Sequence, residues 1–176
     1  MINPEDSIEQ VAKTMRNFHT DSAAVADSMK HMLGGVLLSD LFPVIISRNE
    51  LHGTVASCMN GKVITANPAD ELQKIQSLII ESGFTAFPVT HKKRLIGIIS
   101  RRDLISTKRV RSVVAQHAHT TIEDVMTRDV FTIAPGEPVS YAAEQLVKHD
   151  ISRLPVVNGE TLVGIVDRHD ILTALA

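Results

Sequence analysis

Thr121-Ile122-Glu123-Asp124-Val125-Met126, then Val130-Phe131-Thr132 and Pro135, repeat a pattern that stands sixty-seven residues earlier as Thr54-Val55-Ala56-Ser57-Cys58-Met59, Val63-Ile64-Thr65 and Pro68. The same offset carries Pro88-Val89 onto Pro155-Val156. It also carries Leu95, Gly97, Ile98, Arg101 and Asp103 onto Leu162, Gly164, Ile165, Arg168 and Asp170, without a gap. A register held that long marks an internal duplication. A weaker copy lies upstream. Asn3-Pro4-Glu5-Asp6 resembles Asn67-Pro68-Ala69-Asp70, and Gly34 through Asp40-Leu41 resembles Gly97 through Asp103-Leu104. Only Met1 and Ile2 precede Asn3-Pro4, so copy one is expected to lack the strand before its proline and to be incomplete. The division is residues 1–47, 48–113 and 114–176.

Copy three reads most clearly. Val130-Phe131-Thr132-Ile133 is β-branched and aromatic, which predicts a strand. After Pro135-Gly136, Val139, Ala142, Ala143, Leu146 and Val147 form one helical stripe, broken at Asp150. Leu154-Pro155-Val156-Val157 is a second strand, Asn158-Gly159 a hairpin turn and Leu162-Val163-Gly164-Ile165-Val166 the return strand. Asp167 can cap a last helix carrying Ile171, Leu172 and Leu175. Copy two repeats this order with Leu72, Ile75, Leu78 and Ile79 as its stripe and a longer, basic hairpin at His91-Lys92-Lys93-Arg94. In copy one the stripe is Ile8, Val11, Ala12 and Met15.

The fold class is therefore α+β, built from tandem β-α-β-β-α units. Each unit is a three-stranded sheet covered on one face by two helices. One unit alone buries too little apolar surface, and pairing two small sheets face to face, helices outside, buries the rest. Composition narrows the function. The chain has 176 residues, 44% hydrophobic and 22% charged, with net charge −2. No overall basic field or set of stacking aromatics exists for nucleic acid, since aromatics are 3%. One cysteine makes no internal disulfide or zinc ribbon. No apolar run reaches a membrane span and no basic-then-apolar signal opens the chain, so a cytoplasmic location is expected.

Asp124-Val125-Met126-Thr127, Phe131-Thr132-Ile133-Ala134-Pro135, Ser152-Arg153-Leu154-Pro155-Val156-Val157 and Leu162-Val163-Gly164-Ile165-Val166 with Asp170 resemble the cystathionine-β-synthase (CBS) domain family. The likeness covers copies two and three in full and copy one in part. It implies paired repeats, known as Bateman modules. It further implies an adenosine-containing ligand in the clefts, regulation of an attached or partner protein, and no chemistry.

The resemblance also implies site residues. In the family pattern a Ser or Thr three residues before an Asp helps hold phosphate or ribose, and the Asp takes the ribose hydroxyls. Ser100 and Asp103 match both positions, while Asp170 keeps only the second because Asp167 replaces the hydroxyl. Arg153 is then the candidate phosphate partner of copy three. Leu37 replaces the hydroxyl in copy one, where Asp40 reads as a cap. Thr65 and Thr132 would face the cleft, with Ala86-Phe87-Pro88 and Arg153-Leu154-Pro155 along the base. The bare residue chemistry allows another reading. Ser-x-x-Asp is also a capping-box variant, and Phe87 and Leu154 suit a core.

The remaining motifs are weak. His117-Ala118-His119 reads as linker before a metal site, Cys58 as a buried structural thiol, and Lys108-Arg109 with Arg111 as a solvated basic run. No Walker loop, nucleophile elbow or dinucleotide turn is present, so no catalytic residue is assigned. The expectation is a regulatory module sensing AMP, ADP, ATP, S-adenosylmethionine or a similar compound, with no cofactor or metal. It acts as a homodimer and controls a partner or a fused domain. The alternative is a structural dimerisation module with vestigial ligand sites.

Overall fold

The computed structural model describes residues 1–105 and 120–175. Ser7 opens α1 (Ile8–Phe18) through a capping box: its hydroxyl accepts from the Gln10 N–H, and the Gln10 side chain accepts from the Ser7 N–H at 2.7 Å. Strands β1 (Ser22–Ala26) and β2 (Met32–Leu37) follow, then α2 (Leu38–Arg48). Copy two supplies α3 (Val55–Cys58), α4 (Leu72–Ser82), β3 (Ala86–His91), β4 (Arg94–Ser100) and α5 (Arg101–Ile105). Copy three supplies α6 (Ile122–Val125), α7 (Val139–Lys148), β5 (Arg153–Asn158), β6 (Thr161–Asp167), α8 (Arg168–Ile171) and a 3-10 turn at Leu172–Ala174. The α+β class holds, with antiparallel hairpins and amphipathic helices. Of the predicted stripes, Val11, Ala12 and Met15 in α1, Ile75 in α4, and Val139, Ala142, Ala143 and Leu146 in α7 are buried, whereas Ile8 in α1 and Leu72, Leu78 and Ile79 in α4 are only partly so. Val147, at the margin of its stripe, stays 36% exposed.

Three local expectations change. The first strand of each repeat is a single parallel bridge, Ala66 to Val89 and Ile133 to Val156. Pro68 and Pro135 follow within two residues of the bridge and end the extended run on that side. Copy one does not lack this feature. Ile2, buried, bridges Val25 in the same way, donating its N–H to the Ala24 carbonyl at 2.9 Å and accepting from the Ala26 N–H at 3.0 Å. The basic hairpin is not longer than its counterpart either. Lys92 and Lys93 both adopt positive φ, 50° and 68°, closing a two-residue turn between His91 and Arg94.

The chain divides into two compact units that do not follow the repeat boundaries. Unit one holds Met1–Asn60, Ile133–Val156 and Ile165–Ala176. Here α2 packs against α1 and α7, burying Phe42, Ile45, Leu38 and Leu146 completely or nearly so. Burying one such side chain is worth about 1.5–3 kcal/mol. The Arg168 guanidinium lies 5.9 Å from the centre of the Phe42 ring. Unit two holds Gly61–Thr132 and Val157–Gly164. Its core joins Ala66, Ile75, Phe87, Val89 and Ile99 of copy two to Ile122, Val125 and Met126 of copy three.

Unit two also contains the junction of the sheet ordered β3-β4-β6-β5. Arg94 stands opposite Thr161; the Leu95 N–H donates to the Glu160 carbonyl at 3.0 Å and the Leu162 N–H to the Lys93 carbonyl at 2.9 Å. Beyond it, Ile98 and Thr127 exchange backbone bonds of 2.9 Å in both directions. This brings Met126 over Gly97. A β-carbon at Gly97 would stand 2.6 Å from Met126 Sδ and 3.0 Å from the Thr127 carbonyl oxygen. At the equivalent Gly34 it would meet nothing within 4 Å among the described residues.

This contrast predicts that Gly97→Val destabilises the protein by about 1–3 kcal/mol, the usual cost of overpacking. Gly34→Val should stay within about 0.5 kcal/mol of wild type. Urea unfolding of both variants checks this; equal losses would contradict it.

Candidate functional site

Strands β4 and β6 each run into a short helix, and a carboxylate three residues on folds back to the strand end. In copy two the Ser100 N–H donates to Asp103 Oδ2 at 2.8 Å and the Ser100 hydroxyl donates to the same oxygen at 2.7 Å. The Asp103 N–H returns a longer bond to Ser100 Oγ, 3.4 Å. Of the two readings the spacing leaves open, the side chains adopt the reciprocal capping box. The β3–β4 register sets Ala86 opposite Ser100, Phe87 opposite Ile99 and Pro88 opposite Ile98. Phe87 is a wholly buried core side chain, and the Pro88 carbonyl accepts from the Ala66 N–H at 2.9 Å. Thr65, next to that bridge, is exposed. Unit two thus holds Thr65, Ala86, Phe87, Pro88, Ser100 and Asp103.

Copy three builds the same turn from two carboxylates. The Asp170 N–H donates to Asp167 Oδ1 at 3.0 Å and the Asp167 N–H to Asp170 Oδ2 at 2.9 Å. Arg153 Nη2 lies 3.8 Å from Asp167 Oδ2, with 14% and 19% of the two side chains exposed. The arginine proposed from sequence for a phosphate therefore faces the carboxylate that replaces the hydroxyl. Leu154 is wholly buried and the Pro155 carbonyl accepts from the Ile133 N–H at 3.1 Å. Thr132, the residue before Ile133, is exposed.

Burial, and then the neighbouring Asp167 charge, push the Asp170 carboxyl up to about 6, against the opposing pull of Arg153. Burial, and then the Asp170 charge, raise the Cys58 thiol to about 11. Cys58 is half-buried rather than fully buried, with its thiol 3.6 Å from the Val55 carbonyl oxygen. A thiol held so high is almost entirely protonated near neutral pH and is a poor nucleophile.

Copy one differs. Leu37 precedes α2 and makes no side-chain cap bond. The expectation that Asp40 caps this helix is corrected: among the described residues its exposed carboxylate meets only the Ser39 hydroxyl, at 3.5 Å. A leucine at the cap position has no oxygen with which to complete a reciprocal box.

Sequence reasoning missed a contact between distant copies. His169 Nε2 pairs with Asp21 Oδ1 at 3.0 Å across 148 residues, and its ring stacks on His19 with centroids 4.3 Å apart. No spacing rule joins those positions. Among the described residues no cluster of three or more His, Cys, Asp or Glu could hold a metal. His117, His119, Lys108, Arg109 and Arg111 lie outside the described residues.

Paired small α+β repeats, each with a return strand closed by a carboxylate box, define the class of protein. A family model for the CBS domain matches residues 55–109 and 122–176, and the chain belongs to that family. Protein MJ1225 of Methanocaldococcus jannaschii is 24% identical over 182 residues, covering 96% of this chain and 64% of that protein. Its crystal structure superposes with a TM-score of 0.82 at 22% identity, over 98% of this chain and 66% of that one. The CBS domain pair of protein MJ0100, in complex with 5′-methylthioadenosine and S-adenosyl-L-methionine, is 30% identical with a TM-score of 0.56, over 68% of this chain and 92% of that one. Homoserine O-acetyltransferase of Methanococcoides burtonii is 33% identical over 122 residues, covering 68% of this chain and 24% of the enzyme. The chain therefore spans less than two thirds of these two longer relatives. No helix among the described residues is long and apolar enough to cross a membrane.

The raised Asp170 carboxyl fixes the sign of a pH effect. Between about 4 and 6 the folded state holds a proton that the unfolded state releases, so this group's contribution is full below the unfolded value and is lost as pH rises through 6. With the discount for its partial exposure, Asp170→Asn should raise stability at pH 7 by about 1–2 kcal/mol. It should also flatten the fall in stability between pH 4 and 7. Urea midpoints across that range measure it; an unchanged slope would contradict the assignment.

Proposed function

We propose that the chain is a regulatory module that binds an adenosine-containing ligand: AMP, ADP, ATP, S-adenosylmethionine or a similar compound. The observation that carries the reading is the box at the end of both return strands, Ser100–Asp103 and Asp167–Asp170. It occurs in a chain 30% identical to a CBS pair complexed with two adenosyl compounds. Asp103 takes the ribose hydroxyls, and Ser100 serves the sugar or phosphate end. A carboxylate has about four acceptor positions, so cap bonds and a ligand hydroxyl are compatible. Ala86-Phe87-Pro88 offers backbone along the base and Thr65 a hydroxyl beside it. In copy three Asp170 plays the ribose role with Arg153-Leu154-Pro155 beside it, and Thr132 is put forward as a further hydroxyl for the ligand. Phosphate there must compete with Asp167 for Arg153.

The module performs no chemistry of its own. Ligand favours one arrangement of the repeats and so shifts the state of a partner protein or attached domain. A homoserine O-acetyltransferase that matches over 24% of its length supports attachment to an enzyme as one mode. We assign residues 1–47 to a degenerate repeat and 48–113 and 114–176 to the ligand-binding pair. We also propose a cytoplasmic homodimer. The Ser100–Asp103 bonds favour a second reading, a dimerisation module whose sites are only helix caps.

A panel of AMP, ADP, ATP, S-adenosylmethionine and 5′-methylthioadenosine, read by melting temperature and calorimetry, separates the two. A ligand of the folded state raises the melting temperature by mass action. Asp103→Ala should weaken nucleotide binding by roughly 1.5–3 kcal/mol, one to two decades in affinity. Asp40→Ala should leave it unchanged. Tight binding that survives Asp103→Ala but is lost in Asp170→Ala would move the main site to copy three. No response to any compound would favour the dimerisation module.

A further inference from the structure

We propose that β2 is the contact strand of the homodimer, pairing antiparallel with β2 of a second copy about His31; this rests on the dimer put forward above and names its surface. The template lies inside the chain. Arg94 and Thr161 are equivalent positions under the sixty-seven-residue register, as are Leu95 and Leu162, and Lys93 and Glu160. The two bonds that join β4 to β6 exchange places under that equivalence, so the junction is a near two-fold between homologous strands.

β2 is the third member of this set. Its register with β1 shifts between Val25 and Ala26, as that of β4 with β3 shifts between Val89 and Thr90. Alignment through this bulge puts Lys30, His31 and Met32 on Lys93, Arg94 and Leu95. Its sheet has only two strands, and among the described residues the outer edge of β2 has no strand partner. That edge reads Met-Leu-Gly-Gly-Val-Leu, with no charge or proline to blunt it, and Met32 and Leu33 are 76% and 60% exposed. An open strand of this kind is a template for another strand.

The hairpin tips differ in charge. Arg94 and Glu160 pair at 2.8 Å beside the internal junction. The copy-one tip carries both signs on one loop, Asp27 and Lys30, with His31 Nδ1 3.1 Å from Asp27 Oδ2. Under the same register His31 and Lys30 fall where Arg94 and Glu160 stand, so this ion pair is not repeated and the pairing rests on the backbone edge and the exposed apolar side chains of β2. Such a contact is isologous and closed.

The bond pattern at Arg94 and Thr161 is that of a non-hydrogen-bonded pair, whose Cα atoms lie about 4.5 Å apart. That distance suits a disulfide. The full chain carrying Cys58→Ser and His31→Cys should therefore form an interchain disulfide in high yield under mild oxidation. A control carrying Cys58→Ser and Ile80→Cys, at an exposed position on α4, should not. Met32→Lys should weaken dimerisation on the order of a hundredfold by setting like charges across the axis, with the fold retained by circular dichroism. A dimer mass by light scattering, together with a His31→Cys variant that cross-links no better than the control, would overturn the surface while keeping the dimer. A monomer mass for wild type would overturn both.

Discussion

The approach of Met126-Thr127 to Gly97-Ile98 is the contact on which the second unit depends. Two backbone bonds of 2.9 Å hold it, and the missing side chain of Gly97 gives it room. A repeat of this size is marginal on its own. Seating a segment of copy three on the return strand of copy two completes a core that neither could close. The Asn60–Ile165 bridge repeats the device in the opposite sense within the first unit, with 2.8 and 3.0 Å bonds. The duplication is thus a requirement of packing, and the helix starts that carry the carboxylates are held in place by it.

Electrostatics then distinguish the copies. A hydroxyl faces the carboxylate at Ser100–Asp103, where one proton is shared by donation and no like charges meet. At Asp167–Asp170 two carboxylates meet under partial burial, and the chain answers in two ways. Arg153 is drawn to 3.8 Å from Asp167, and the Asp170 proton is held to about 6. The same backbone turn therefore presents two different charge environments. This difference underlies the proposed preference of nucleotide for copy two.

Much of this was legible in the residues because it is local. Helical stripes, the Asp167 cap and the Asn158-Gly159 turn depend on neighbours within a few positions. Gly97 was visible as a repeat match, and nothing in the residues marked Met126 as its partner. Other features depend on partners far along the chain or on backbone choices with no residue marker. The first strands shrink to single bridges, and Ile2 fills its bridge from a position that reads as too short for a strand. Lys92 and Lys93 accept left-handed backbone without glycine or asparagine, which concealed a two-residue turn. The apposition of Cys58 with Asp170 joins copy two to copy three, and that of His19 and Asp21 with His169 joins copy one to copy three. Asp40 misled because its spacing copies Asp103 while the leucine before it removes the reciprocal partner.

The central claim is that the box at the end of β4 is a ligand contact as well as a helix cap. Amide chemical shifts recorded while AMP is titrated into the full chain test it most directly. The account predicts saturable shifts centred on the amides of Ala86, Ser100 and Asp103, with Asp40 silent. Saturable binding that leaves those three amides unmoved would contradict it.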